Sequence, residues 1–434
     1  MRIFDSIYTK IILVFICLYI FLVGISGLSK SIGGLTTPSE LSIGDMAQLK
    51  KQILIINDKE IKKKKIWVKI IAIDNEEENY TFEYSENNVK TIGKTTKKNI
   101  KKVASSNFIN ATGSRFISLF IGVFATVLFQ SSSTTTSLIV GMAGGGLIGL
   151  SSAIPMVMGA NIGTTVTNTL VSLGHIRRKE EFKRAFASST VHDFFNMLAV
   201  LIFFPLEIMF GFLEKGATFL GNVFFTEISE KPFQSPIKQA VSWGVNHLKD
   251  FIKDIINSDW VLLAVSVLIT LFMLFSIVKL LRSMVLEKVE QFFDQYIFKT
   301  AIRALIFGFI LTVLVQSSSI TTSTIVPLAG AGVLSLKQIF PFTLGANIGT
   351  TITSIMAALV LNPIAMVVAF GHLLFNILAI IIIYPIKPMR QIPMYCADKL
   401  AELSIQNKLA PIVYLAIVFV LIPLIIILLG GQNV

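Results

Sequence analysis

Apolar runs alternate along this chain with short polar or basic segments, a pattern that predicts helices rather than strands. Ile11–Leu28, Leu262–Leu281 and Ala410–Leu429 are apolar stretches close to the roughly 20 residues that cross a bilayer. Two longer blocks are apolar but not uniform. Phe116–Leu173 contains no Asp, Glu, Lys or Arg, and Ala304–Ile386 contains Lys337 alone. Each block carries Gln-Ser-Ser-Ser, at Gln130 and again at Gln316, followed by Gly144-Gly145-Gly146 or Gly330-Ala331-Gly332. Polar atoms in hydrocarbon need internal partners, and glycines weaken helices, so each block predicts a broken or re-entrant segment. About eleven apolar segments are expected, an odd number.

Residues 29–113 depart from this pattern, with fifteen Lys and ten acids. The stretches QILIIN, IWVKIIAID and TFEYS are rich in β-branched and aromatic residues, and Asn57-Asp58 and Asp74-Asn75 supply turn residues. A small soluble β-rich domain is expected at about 45–103, bounded by polar linkers.

Composition agrees with a polytopic membrane protein. Hydrophobic residues make up 53% and charged residues 15%, against about 25% charged in soluble domains. An ordinary cytosolic enzyme and a disordered chain are both excluded. Two cysteines, Cys17 and Cys396, exclude a disulfide scaffold, and four scattered histidines argue against a His-based metal site. The net charge of +12 reflects topology rather than nucleic-acid binding, because the excess lies in short segments between apolar blocks. Residues 174–184 carry five basic and two acidic side chains, whereas 206–259 carry five Lys and seven acids. No interleaving of aromatic and basic residues marks a nucleic-acid surface. The apolar run after Lys10 exceeds the 7–15 residues of a signal-peptide core, so a retained first helix entering from the cytoplasm is expected.

The strongest feature is an internal repeat. Gln130–Asn168 aligns without a gap onto Gln316–Ser354, 186 residues later, with about half the positions identical. The match resumes 180 residues apart, so that His192 faces His372, Asn196 faces Asn376 and Pro205 faces Pro385. The Ile11–Leu28 helix corresponds to Leu262–Leu281. The first starts beside Lys10 and the second ends at Lys279 and Arg282, which gives the two copies opposite orientations. Inverted repeats with a binding site near the midplane are a common architecture of secondary transporters.

The duplicated segments are rich in neutral oxygen ligands. Gln130–Ser137 holds a Gln, four Ser and three Thr, and Asn161–Thr165 and Asn347–Thr351 read Asn-Ile-Gly-Thr-Thr, a second expected break. Half-helix N-termini suit an oxyanion, and carbonyl, hydroxyl and amide oxygens suit Na+. The polar segments of the two copies supply no Arg or Lys, so a bound anion there depends on hydrogen bonds, dipoles and a cotransported cation. Small and hydroxyl residues also line ordinary helix contacts in membranes, but four consecutive polar residues, duplicated with a second polar segment, favour a ligand site. Asp193 is the only acid in the apolar stretch 185–206. It fits equally a functional intramembrane acid, acting on a cation or on a loop through His192, and a helix-end acid paired with Arg184 or water. For His192 and His372 a structural hydrogen bond to a broken helix is favoured over tuning of a pH response. No nucleophile elbow accompanies the serines, so an enzyme is the weakest reading.

At these residues the chain resembles the type II sodium–phosphate cotransporter family. The two QSSS copies, AIPMVMGANIGTTVTNTLVS, RAFASSTVHDFFN and PFTLGANIGTTITSIMAAL match its signature segments. The resemblance covers roughly residues 11–35 and 114–430, and the Lys- and Ile-rich chain looks like a bacterial member. It implies inward symport of inorganic phosphate driven by Na+, with alternating access and no cofactor beyond Na+ as coupling ion. It implies phosphate and sodium sites at Gln130, Ser131, Ser132, Ser133, Asn161, Thr164 and Thr165, and at Gln316, Ser317, Ser318, Ser319, Asn347, Thr350 and Thr351. His192, Asp193, Asn196 and Asn376 are accessory candidates.

The chain departs from the family's animal members in three ways. Residues 206–259 lack the cysteines of their long extracellular loop, residues 36–110 are expected to form an insert, and the sequence stops at Val434 where those members have a further helix and tail, so the C-terminus is expected outside. The expected protein is therefore an all-α polytopic protein of the cell (inner) membrane. It has two inverted repeats with broken or re-entrant helices and a small inserted soluble β-rich domain. Residues 1–35 form the first transmembrane helix, 36–110 the extracytoplasmic insert and 111–210 the core of repeat one. Residues 211–259 form an extracytoplasmic connecting loop, 260–390 repeat two and 391–434 an amphipathic segment with the final helix. Its partners are phosphate, Na+, the lipid bilayer and an unidentified partner of the insert. Rival readings are a carrier of another oxyanion such as arsenate or sulfate, a non-transporting anion receptor and an ion channel.

Overall fold

The computed structural model describes residues 6–35, 46–56, 59–74, 79–86, 89–96, 100–104, 114–164, 166–226, 236–256, 258–289 and 297–430. Among them six helices are long and apolar enough to cross a membrane: Ile7–Ile32, Lys179–Phe210, Asp259–Met284, Leu336–Leu359, Pro363–Ile383 and Ala410–Leu429. Arg115–Phe129 and Ala301–Val315 are shorter apolar helices. Several of the expected apolar segments are thus arms of broken hairpins, too short to span alone. The last helix contains a π-helical stretch, Ala416–Leu421, between Ala410–Leu415 and Ile422–Gly430.

The insert is a five-stranded antiparallel sheet in the order β4-β3-β2-β1-β5. β1 is Met46–Ile56, β2 Lys59–Asp74, β3 Asn79–Glu86, β4 Val89–Thr96 and β5 Ile100–Ala104. Alternation places Val68 and Ile70 of β2, and Tyr80 and Phe82 of β3, among the buried residues. The first three strands coincide with the three stretches legible in the sequence. The Asn57-Asp58 turn and Asn75 lie outside the described residues.

Each repeat builds the same hairpin from the same local signals. Ser114 and Thr300, 186 residues apart, cap Arg115–Phe129 and Ala301–Val315 by accepting from Ile117 N and Arg303 N. Both helices end on a glutamine in the left-handed conformation, Gln130 at φ 52° and Gln316 at φ 55°. Ser131 and Ser317 then cap new helices, Ser132–Gly145 and Ser318–Ser323. The first stops at Gly146, whose positive φ suits a glycine C-cap; in copy two the helix restarts as Val326–Gly330 and turns at Gly332. The glycine interruptions expected from sequence are therefore where the hairpins turn.

The Asn-Ile-Gly-Thr-Thr segments meet expectation in copy one and depart from it in copy two. In copy one the helix Leu150–Gly163 ends at Thr164 and a new helix starts at Val166. In copy two Leu336–Leu359 runs through Asn347–Thr351 without a break. Thr350 and Thr351 there donate to Asn347 O and Ile348 O of their own helix, so the hydroxyls are satisfied without interrupting it. The described residues of 211–259 are largely helical rather than a loop. They hold the helices Phe212–Thr226 and Pro236–Ile255, and the second packs on the first helix, where Tyr19 Oη donates to Ala240 O at 3.0 Å.

The repeats meet along two seams. Ile7–Leu35 and Asp259–Val289, equivalent in sequence, lie antiparallel: Gly24 faces Thr270 while Gly27 faces Ser266. Around this seam one buried cluster joins Phe21 and Ile25 to Leu274, Ile277, Val157 and Val368. A second cluster joins Phe186, Phe195 and Phe203 to Phe340 and Phe375. The amphipathic Lys387–Gln406 helix packs on Lys179–Phe210, with Lys183 Nζ 3.4 Å from Glu402. Lys399 and then Lys183 hold the Glu402 carboxyl below its usual pKa by hydrogen bonds and charge.

Candidate functional site: a polar seam between the repeats

Within each hairpin the glutamine is tied down in the same way. Gln130 Nε2 donates to Val127 O at 2.5 Å and its Oε1 accepts from Thr167 Oγ1 at 3.0 Å. Gln316 Nε2 donates to Val313 O at 2.7 Å and its Oε1 accepts from Thr353 Oγ1 at 2.8 Å. In both copies the threonine lies 37 residues after the glutamine. From the left-handed turn the amide thus bridges the end of its own helix to the threonine just beyond the second polar segment. Gln130 is exposed and Gln316 is 8% exposed, so the two sites differ in access.

The serines after each glutamine divide their work. Ser131 Oγ accepts from Thr134 N at 3.2 Å and from Thr134 Oγ1 at 2.9 Å, and Ser317 Oγ accepts from Ile320 N at 3.4 Å. Ser132, Ser133, Ser318 and Ser319 are buried. Ser319 Oγ reaches across the seam and donates to Thr164 O at 3.2 Å. Thr164 itself donates to Ala160 O within its helix. Thr165 lies outside the described residues.

Deeper in the seam each repeat completes the other. His192 Nε2 sits 2.5 Å from Asn347 Oδ1, and His372 Nε2 sits 3.4 Å from Asn161 Oδ1, so each histidine pairs with the asparagine of the opposite copy. Asn196 Nδ2 donates to Asn161 O at 2.8 Å, and Asn376 Nδ2 donates to Asn347 O at 3.3 Å. Asn347 Nδ2 also donates to Asn196 Oδ1 at 2.8 Å. Nearby, Asn168 Nδ2 donates to Thr322 Oγ1 at 2.6 Å, and the equivalent pair is Ser354 Oγ to Thr136 Oγ1 at 2.9 Å. Ser323 Oγ adds a bond to Asn168 Oδ1, and Ser354 Oγ lies 3.1 Å from His372 Nδ1. Of the expected residues, His192, Asn196, Asn161, Asn347, Asn376, Ser319 and Thr164 are thus brought together across the seam. Gln130, Gln316, Ser131 and Ser317 instead shape their own hairpins.

Asp193 is buried. Its Oδ2 accepts from Tyr414 Oη of the final helix at 3.0 Å. Neither an Arg184 pairing nor an action through His192 describes it. Arg184 bonds Gly330 O, and His192 turns to Asn347.

The seam is neutral but not saturated. No group of three or more His, Cys, Asp or Glu that could hold a metal occurs among the described residues. Thr126 Oγ1 and its equivalent Thr312 Oγ1 are buried with no hydrogen-bond partner, as are Ser137 Oγ, Thr321 Oγ1 and Asn376 Oδ1. Buried oxygens of this kind are rare in settled cores and leave acceptor capacity for a cation. Asn168, Thr322, Ser354, Thr167 and Thr353 are participants that motif reading missed, while Thr136 lies in the Gln130–Ser137 run already read as oxygen ligands. Their signal was present in the repeat itself, since each pair recurs 186 residues apart.

Comparison with known proteins agrees with this duplicated arrangement. A sequence model described as Na+/Pi-cotransporter matches residues 88–226 and 269–384. Sodium-dependent phosphate transport protein 2A of Rattus norvegicus is 33% identical over 378 residues, 70% of this chain and 59% of the relative. Sodium-dependent phosphate transport protein 2B of Homo sapiens is 32% identical over 416 residues, 74% of this chain and 60% of the relative. The chain therefore spans about three fifths of the length of these curated relatives. No solved structure matches it significantly. Two matched blocks, six apolar helices and the paired hairpins together identify a multi-pass membrane protein that belongs to the Na+/Pi-cotransporter family.

Proposed function

We propose that the chain is a sodium-coupled symporter that imports inorganic phosphate by alternating access. The observation that carries this reading is the reciprocal seam, in which His192 meets Asn347 and His372 meets Asn161. A site assembled from two equivalent halves can be exposed to either side by moving one half against the other. The antiparallel packing of the equivalent first helices supports an inverted relation of the halves, with the N-terminus cytoplasmic and the C-terminus extracytoplasmic in the cell membrane.

The chemistry is one of neutral oxygens. Na+ and phosphate share the hydroxyl, amide and backbone groups of Gln130, Ser131, Ser132, Ser133, Asn161, Thr164 and Thr165, and of Gln316, Ser317, Ser318, Ser319, Asn347, Thr350 and Thr351, with the oxygens turned to Na+. Phosphate binds beside it. The segments Phe116–Leu173 and Ala304–Ile386 hold a single cationic side chain, Lys337. Na+ therefore supplies the positive charge that the dianion needs, which makes phosphate binding depend on sodium.

The test is radiolabelled phosphate uptake into proteoliposomes, with an inward Na+ gradient compared with an equal K+ gradient. Uptake with Na+ alone, overshooting equilibrium, is expected. Uptake of sulfate in place of phosphate would move the reading to another oxyanion. Phosphate binding with no movement under either cation would replace it with a receptor.

A further inference from the structure

Each hairpin tip is held by a side chain from the other repeat. Arg184 Nε and Nη2 both donate to Gly330 O, at 3.0 and 2.7 Å. Asn362 Nδ2 donates to Gly144 O at 2.6 Å. Gly144 and Gly330 are equivalent positions, each two residues before the left-handed glycine that turns its hairpin, Gly146 or Gly332. The residues that hold them are not equivalent: in the downstream alignment Arg184 faces Ile364 and Asn362 faces Phe182. The two tips also have different neighbours. Gly145 lies against Ile32 and Ser29 O near the C-terminal end of the first helix. Gly330 lies against His175 and Glu181 O in the basic segment.

We propose that Arg184 and Asn362 are latches that hold the two hairpin tips shut, one at each membrane face, and that releasing one at a time opens the substrate path to one side. The proposal rests on the reading of the chain as an alternating-access carrier and names its positioning residues. A carbonyl at a helix end is a ready acceptor, and withdrawing its partner frees the tip without breaking the helix behind it. The tip of repeat two has room to move. A cavity of about 100 Å3 lies beside it, lined in part by Arg184, Ala329, Ser335 and Asp398. Asp398 offers the guanidinium an acceptor once it leaves Gly330. Two charge-assisted bonds hold more strongly than one neutral amide bond. The repeat held by Arg184 is also the one whose glutamine, Gln316, is buried, while Gln130 is exposed.

The test uses Ala143 and Ala329, equivalent positions that are 1% and 2% exposed. Cys17 and Cys396 are replaced by serine, and Ala143→Cys or Ala329→Cys is introduced singly into the full chain. Proteoliposomes are treated with a membrane-impermeant maleimide from each face. Arg184→Gln should speed labelling of the cysteine at 329 by about tenfold or more, from one face, and leave 143 unchanged. Asn362→Ala should speed labelling at 143, from the opposite face, and leave 329 unchanged. Arg184→Lys should fall between Arg184→Gln and the parent. Unchanged labelling in both variants, or equal acceleration at both positions, would overturn the latches, the second because it reports general loosening. Parallel uptake assays on the parent chain separate the two ideas. Selective acceleration in a protein that moves no phosphate keeps the latches and removes the transport reading. Normal uptake with unchanged labelling removes the latches alone.

Discussion

Gln130 and Gln316 are the described residues other than glycine with positive φ, at 52° and 55°. A left-handed conformation costs a residue with a Cβ about 1–2 kcal/mol, so each turn is kept for what the amide does there. Gln316→Gly should relieve that strain and Gln316→Ala should not, although both remove the bond from Thr353. The glycine variant is therefore expected to be the more stable by about 1 kcal/mol in detergent thermal unfolding, while both lose sodium-driven uptake. Full uptake in either variant would remove Gln316 from the site. His192 and Asn347 form a second case. Removing one partner leaves a buried polar atom of the other, Asn347 Oδ1 or His192 Nε2, without this bond, worth about 1–3 kcal/mol, so a double-mutant cycle with His192→Ala and Asn347→Ala should give clear coupling in unfolding temperature. Additive losses would mean that the contact contributes nothing. Thr350 spends its proton on Asn347 O and keeps its lone pairs. Thr350→Ala should shift the sodium activation curve to higher concentration, and an unshifted curve would take Thr350 out of the cation site.

The helices around each site pack through glycine at backbone contact. A Cβ on Gly122 would meet Met156 O at 1.9 Å, and one on Gly308 would meet Phe342 O at 2.1 Å. Their partners Gly159 and Gly345 are equally tight against Leu119 O and Leu305 O. Such contacts replace the hydrophobic driving force that helices lack in lipid. Gly122→Ala and Gly308→Ala should each lower stability by about 1–3 kcal/mol or prevent assembly, measured by thermal unfolding and size-exclusion profile. Gly174→Ala, with nothing within 4 Å, should be silent. The elements themselves were partly legible. Apolar length announced the spans, and Gly146 and Gly332 announced the turns. The Asn-Ile-Gly-Thr-Thr motif misled in repeat two because its threonines bond their own helix, so polarity alone did not break it. The helix at 236–255 was hidden by its charge, three Lys and two Asp that read as a loop, whereas the helix at 212–226 carries only Glu214 and Lys215 and is too short to read as a span.

Taken as a whole, the molecule joins two copies of one unit through antiparallel first helices and a neutral polar seam. The charge deficit of that seam has a direct consequence. Phosphate should bind the purified protein in Na+ but not in choline, measured by calorimetry, and Na+ should raise phosphate affinity by the same factor that phosphate raises Na+ affinity. Equal phosphate binding in both buffers would show that some cationic side chain does the work assigned to sodium.

The sequence by itself determined the class of protein, the duplication, the polar segments and the residue types of the site. All of these are properties of composition and local order, and they survive being read one residue at a time. Only the tertiary structure decided which residues meet. His192 adjoins Asp193 in sequence, yet its ring turns to Asn347 of the other copy, and Asp193 accepts from Tyr414 of the final helix. Arg184 ends a basic segment and reads in sequence as a candidate partner of Asp193, whereas packing places it on Gly330 O. These pairings depend on how two hairpins are stacked, which no periodicity encodes, because a buried polar atom takes the partner that packing brings within reach.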